Sequence, residues 1–319
     1  MPIFYRNVMY KPGEESEDAA CLKLYDGHDW KWFRAGLLHT DMEYLRRHWS
    51  GKKSSAPVLE KRHQKYFLRF SYTEEVTLSK TPVKDQLICS VDLGINTDAV
   101  CSIMRSDGTV LDRKFINFPS EKDRLSHVLG RIRRFQKEHG SKQIGSRWAY
   151  AKRLNTELAR KTARSITEYA HENHADVIVF EYLEMKGKIS GKKRQKLHLW
   201  KKREIQTMCE HKAHQYGIRV SRVCAWNTSR LAYDGSGPVS RDPKNHSLCV
   251  FQSGKQYNCD LSASYNIGAR YWIREIIKTL PETERSSLEA KVPAVKRRTS
   301  CVYADLLILQ NEYGCSKAA

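Results

Sequence analysis

The sequence predicts an α/β fold in which three antiparallel strands precede alternating helices and strands, with a β-rich segment ahead of them. Two short apolar runs that end near carboxylates, tight-turn signals between the first three runs, and long helical stretches from about residue 121 carry that prediction. Residues 1 to about 85 read as β-rich. Trp30–Leu38 and Val58–Tyr72 mix apolar with basic or polar residues in partial alternation, and Gly51–Pro57 reads as the loop between them. Within the second run, Tyr66, Leu68, Phe70 and Tyr72 are expected on one strand face. Lys61, Lys65 and Arg69 are expected on the other, where they can meet phosphates.

Strands follow at 86–94, 97–105 and 109–118. The turns at Gly94–Asn96 and Ser106–Gly108 make them an antiparallel meander. Helices are expected at about 121–139, 147–174 and 197–215, with strands at 176–181 and 218–224 between and after them. Asp260 precedes Leu261–Ile267, which reads as the opening of a further helix. That order matches the ribonuclease H layout.

Asp92 lies near the end of Gln86–Ile95, and Glu181 closes Asp176–Glu181. Continuously apolar runs of this kind suit strands buried on both faces. Two strand ends and one helix start can converge at one sheet edge, where Asp92, Glu181 and Asp260 would suit hard octahedral ions such as Mg²⁺ or Mn²⁺. The pattern points to metal-dependent cleavage of nucleic acid. Taken singly, Asp92-Leu-Gly94 is an ordinary strand-to-turn junction and Asp260 an ordinary helix cap. The three together, in this order, are harder to ascribe to chance.

Composition agrees with a polyanionic partner. Among 319 residues, 56 Lys and Arg against 36 Asp and Glu give a formal charge of +20, which favours salt-sensitive binding to phosphate backbones. From Lys122 to Lys212, 23 Lys and Arg less 10 Asp and Glu leaves +13 of that charge in under a third of the chain. The densest stretch, Lys186–Lys196 with Lys192, Lys193 and Arg194, reads as a basic loop close after Glu181. Arg147, Lys152, Arg153, Arg160, Lys161 and Arg164 add a basic surface to the preceding helix, with Trp148 and Tyr150 available for stacking on bases. No apolar run approaches the roughly 18 residues of a spanning helix, and the N-terminus lacks a signal-peptide core. A soluble, cytoplasmic, nucleoid-associated protein with no membrane partner is the expectation. Nine scattered Cys residues suit reduced thiols rather than a disulfide framework. A sugar-kinase-type phosphotransferase would need a second Gly-rich phosphate loop, which the sequence lacks.

With these residues in view, the chain resembles TnpB, the RNA-guided nuclease of insertion sequences, and its relatives the type V CRISPR effectors. The resemblance rests on Val91–Ile95, Val177–Leu183, Asn227-Thr-Ser229 and Gly254–Ile267. It implies a RuvC nuclease site of Asp92, Glu181 and Asp260 using Mg²⁺ or Mn²⁺, with DNA and a guide RNA as partners. It also implies a wedge-like domain over 1–85, a RuvC-like nuclease domain over 86–280 with a zinc-ribbon insertion at about 228–256, and a helical tail over 281–319. Two departures stand out. Ala232, Gly235, Val250 and Ser253 fall where the ribbon's thiolates should be, so no zinc is expected, although Cys224, His246, Cys249 and Cys259 offer an improvised set. The family also carries an N-terminal recognition domain ahead of what Met1 begins, so the chain looks truncated. The alternative is a protein that grips DNA or RNA and cuts nothing.

Overall fold

The computed structural model describes all residues except 1–2, 14–17, 63, 141–143, 183–199, 243–244, 246, 298 and 319. Chain contacts divide it into two units, Met1–Val76 and Thr77–Ala319.

In the first unit β1 (Tyr10–Pro12), β2 (Ala19–Tyr25) and β3 (Trp30–Gly36) form an antiparallel sheet in that order. Helix α1 (His39–Trp49) follows, then β4 (Lys53–Ser54), β5 (Val58–Arg62), β6 (Lys65–Arg69) and β7 (Tyr72–Thr73). Phe4, Tyr10, Ala20 and Leu22 make a small core, against which Leu59, Leu68 and Phe70 pack. The run 58–72 is not one strand. It folds back into the hairpin β5–β6 with Gln64 at φ 64°, so Lys61 pairs with Tyr66, and its ammonium lies 5.3 Å from that ring's centroid. Lys61 and Tyr66 therefore share a face, contrary to the single-strand reading. The polar stretch Arg62–Lys65 contains neither Gly nor Pro, so its turn left no signal.

The second unit is built on a five-stranded sheet. Its strands are β8 (Leu87–Asp92), β9 (Ala99–Arg105), β10 (Val110–Ile116), β11 (Val177–Tyr182) and β12 (Arg219–Cys224), in spatial order β10-β9-β8-β11-β12. β8, β9 and β10 form the antiparallel meander, whereas β11 runs parallel to both β8 and β12. One face packs on α3 (Gly145–Glu172) and α4 (Lys202–Gln215) through Ala163, Ile166, Cys209 and Ala213. Helix α2 (Pro119–His139) lies on α3 through Leu129 and Ile132.

After β13 (Ser240–Arg241), β14 (Leu248–Val250) and β15 (Gln256–Asn258), which form a small antiparallel sheet, comes α5 (Cys259–Thr279) on the other face. Gly268 lets α5 approach closely, because a Cβ there would lie 2.4 Å from Met104 Sδ and 3.2 Å from Ser90 Oγ. Helices α6 (Glu282–Lys291) and α7 (Tyr303–Ala318) add Leu288, Leu306 and Leu309 to the same core, so the C-terminal residues pack as part of this unit. Among the described residues no helix is long and apolar enough to cross a membrane.

Candidate active site

Strand pairing brings the first two carboxylates together. Val91 of β8 pairs with Phe180 of β11, so Asp92 and Glu181 occupy the next positions of two neighbouring parallel strands, roughly 4.8 Å apart along the ladder. Side chains alternate along a strand. Val91 and Phe180 enter the core under α3 and α4, whereas Ile88, Val177 and Val179 enter the core under α5. Asp92 and Glu181 therefore face α5. Asp260 sits in the first turn of that helix, whose N-cap is Asn258, with its side chain accepting from Leu261 N at 2.9 Å.

Electrostatics report the convergence. Burial, and then the negative charges of Glu181 and Asp260, hold the Asp92 carboxyl well above the usual carboxylate range, while Arg241 pulls it back. Burial raises Glu181, against a hydrogen bond from the Thr228 hydroxyl and the charges of Arg270 and Lys202. Burial raises Asp260, opposed by Arg241 and the Thr97 hydroxyl. The helix N-terminus should favour ionised Asp260 by about 0.3–1 kcal/mol, yet its pKa rises, so desolvation wins. Asn266 of α5 steadies the Thr228 loop, donating to Thr228 O and Leu231 O at 2.9 Å each. Thr97, Lys202, Thr228, Arg241 and Arg270 are thus site residues that sequence reasoning missed. Only Thr228 carried a signal, in Asn227-Thr-Ser229.

Three hard-oxygen groups, Asp92 and Glu181 buried and Asp260 half-buried, with pKa values raised by burial make a donor set suited to a divalent cation. Even so, among the described residues no set of three or more His, Cys, Asp or Glu side chains is gathered tightly enough to enclose a metal ion.

All six basic residues expected on the preceding helix lie exposed on α3. Arg160, Lys161 and Arg164 are matched by Glu157, Glu121 and Glu168. Arg147 lies 4.3 Å from the Phe135 ring centroid, and Arg153 lies 5.7 Å from that of Tyr150. Trp148 and Tyr150, read as available for stacking on bases, are half-buried and pack against the α2–α3 core. Lys192, Lys193, Arg194 and the rest of Lys186–Lys196 lie outside the described residues.

In the ribbon region, Ala232 is buried with Cys249, Phe251 and Cys259, and Ser253 donates to Asp234 at 2.7 Å. Gly235 has φ +79°, and Val250 is exposed. Tyr233 stands within 6 Å of the rings of Phe251, Tyr257, Tyr265 and Tyr303, so an aromatic cluster holds this small sheet. Burial and a hydrogen bond with Cys259 push the Cys249 thiol up to about 12.

A family model described as Cas12f1-like, TNB domain matches residues 203–267, from α4 into α5. The TnpB-like protein aq_aa05 of Aquifex aeolicus (strain VF5) is 26% identical over 247 residues, which are 70% of this chain and 79% of that protein. The chain is similar to TnpB-like proteins. A second relative, the TnpB-like protein ORF457 of Acidianus two-tailed virus, is 28% identical over 204 residues, 58% of this chain and 42% of that protein. The solved structure of the mini-RNA-guided endonuclease CRISPR-Cas_phi3 superposes with a TM-score of 0.50 at 15% identity, covering 78% of this chain and 57% of that one. The fold is RuvC-like with a β-rich unit before it. The chain spans little more than half of that solved structure and less than half of the viral relative.

Proposed function

We propose that this TnpB-like chain is a metal-dependent DNA endonuclease directed by a guide RNA. The observation that carries the reading is the placement of Asp92 and Glu181 on adjacent parallel strand ends, facing the helix whose first turn carries Asp260. Asp92, Glu181 and Asp260 would hold Mg²⁺ or Mn²⁺, which supplies Lewis acidity at the scissile phosphate and an activated water. The protein's own groups prepare the site. Thr228 orients the Glu181 carboxylate, Lys202 and Arg270 favour its ionised form, and Arg241 offsets the charge of Asp92 and Asp260. Exposed Arg147, Lys152 and Arg153 would grip phosphates without reading sequence, along with Arg160, Lys161 and Arg164 where phosphate displaces their carboxylate partners. A guide RNA is supported by the likeness to an RNA-guided endonuclease and by the +20 charge.

The test is cleavage of single-stranded DNA by the full chain, purified with its bound RNA, in Mg²⁺ and in EDTA. Asp92→Ala, Glu181→Gln and Asp260→Ala should each lower the rate by roughly 100-fold or more. Binding should change by only about twofold, because affinity comes mainly from phosphate contacts. Three variants that cut as fast as the parent would overturn the site. A parent that binds DNA and never cuts it would make the chain a binding protein instead.

A further inference from the structure

On the α3 and α4 side of the sheet, opposite the face toward which Asp92 and Glu181 point, α2, α3 and the start of α4 surround a cavity of about 300 Å³, the lower end of the range for small-ligand pockets. Its walls are mainly apolar, with Ile95, Leu125, Leu129, Leu158 and Ile205. Trp200 also lines it, and the indole N–H is buried with no acceptor among the described residues. A buried donor left unpaired is costly, so the cavity favours a ligand that is flat, largely apolar on its faces and rich in acceptors at its edge. Lys122, Arg133 and Lys201 also line it, against Asp98 and Asp123. Lys122 is matched by Asp98 at 3.0 Å, whereas Arg133 is exposed and has no partner among the described residues.

Two connections tie the cavity to the carboxylates. Gly94 lines it and follows Asp92 by two residues, which puts their Cα atoms within about 7.6 Å. Lys202 stands 5.3 Å from the Trp200 ring centroid, and its charge also bears on Glu181.

We propose that this cavity receives one unpaired base of a single-stranded DNA substrate, swung out of the strand whose phosphates pass Asp92 and Glu181. This rests on the nuclease reading above. A base offers ring nitrogens and carbonyls to the Trp200 N–H, its faces suit the apolar walls, and Arg133 meets the attached phosphate. Extruded bases are held in this manner, between apolar side chains with edge hydrogen bonds.

The experiment uses the full chain in EDTA with oligonucleotides carrying one 2-aminopurine, moved a position at a time along the strand. One position should change its emission, and the change should shrink in Trp200→Phe and vanish in Ser126→Trp, a substitution at an exposed lining position. An abasic site at that position should weaken binding roughly 5- to 100-fold, and elsewhere little. Uniform emission along the strand, or a position-specific change indifferent to Trp200→Phe, would overturn the proposal. So would a signal confined to RNA oligonucleotides. Trp200→Phe keeps the packing, so the test stands even if Ser126→Trp does not fold. Because no metal is present, a parent that inserts a base yet never cuts would sink the nuclease reading alone. A parent that cuts without position-specific insertion would sink this proposal alone.

Discussion

Asp92 carries a burial cost that Arg241 only partly offsets and that a bound cation or a proton would relieve further. Its folded pKa is raised by desolvation and by Glu181 and Asp260. The sign follows directly: the stability linked to its protonation is present below its unfolded value, about 4, and is lost as pH rises through the raised folded value. At pH 7 to 8 without metal, Asp92→Asn should therefore melt at a higher temperature than the parent. The gain should shrink as pH falls toward about 4, with each ~1 kcal/mol relieved showing as roughly 2–4 °C. Mg²⁺ at about 100 times its Kd should add about 2.7 kcal/mol to the parent and much less to the variant. A metal-free Asp92→Asn protein that melts below the parent throughout pH 5 to 8, in calorimetric scans, would refute this account of the residue. The sequence revealed Asp92 and Glu181 because each closes a buried apolar run. It did not reveal Lys202, Arg241 or Arg270 as their counter-charges, since a lone cation among 56 Lys and Arg carries no pattern.

At the scale of elements, the turn from β8 to β9 links the sheet to the site. It carries Thr97, which hydrogen-bonds Asp260, and Asp98, which accepts from Phe118 N at 2.8 Å and pairs with Lys122. Gly94 is required there by close approach, since a Cβ would lie 2.5 Å from the backbone oxygen of Thr97. Backbone cannot swing aside as a side chain can, so Gly94→Ala should cost about 1–3 kcal/mol. It should also slow cleavage while leaving DNA affinity near the parent's. Chemical denaturation showing no loss of stability would mean the turn has room that its geometry denies. The strands here were readable because their turns carry Gly and Asn and their cores are continuously apolar. Helix α1 escaped notice for another reason: Met42, Leu45 and Trp49 do recur at helical spacing, but the stripe spans only 11 residues, lies between β-rich segments and has no fully buried member.

Across the whole molecule, the +20 charge points to a polyanionic partner without saying which cations are available. Arg160, Lys161 and Arg164 read as a binding surface in sequence, but Glu157, Glu121 and Glu168 meet them in the fold. Pairings that join α2 to α3, such as Lys161 with Glu121, are invisible until the helices pack. The C-terminal helices likewise read as a tail, because only tertiary contact shows Leu288, Leu306 and Leu309 entering the core beneath α5. The proposed function requires that Asp92, Glu181 and Asp260 together bind a divalent cation. Mn²⁺ uptake, followed by loss of the free ion's electron paramagnetic resonance signal, tests it without any nucleic acid. The parent should bind Mn²⁺, and Asp92→Asn, Glu181→Gln and Asp260→Asn should each weaken uptake at least about tenfold. Equal binding by the parent and all three variants, or no binding by the parent, would contradict it.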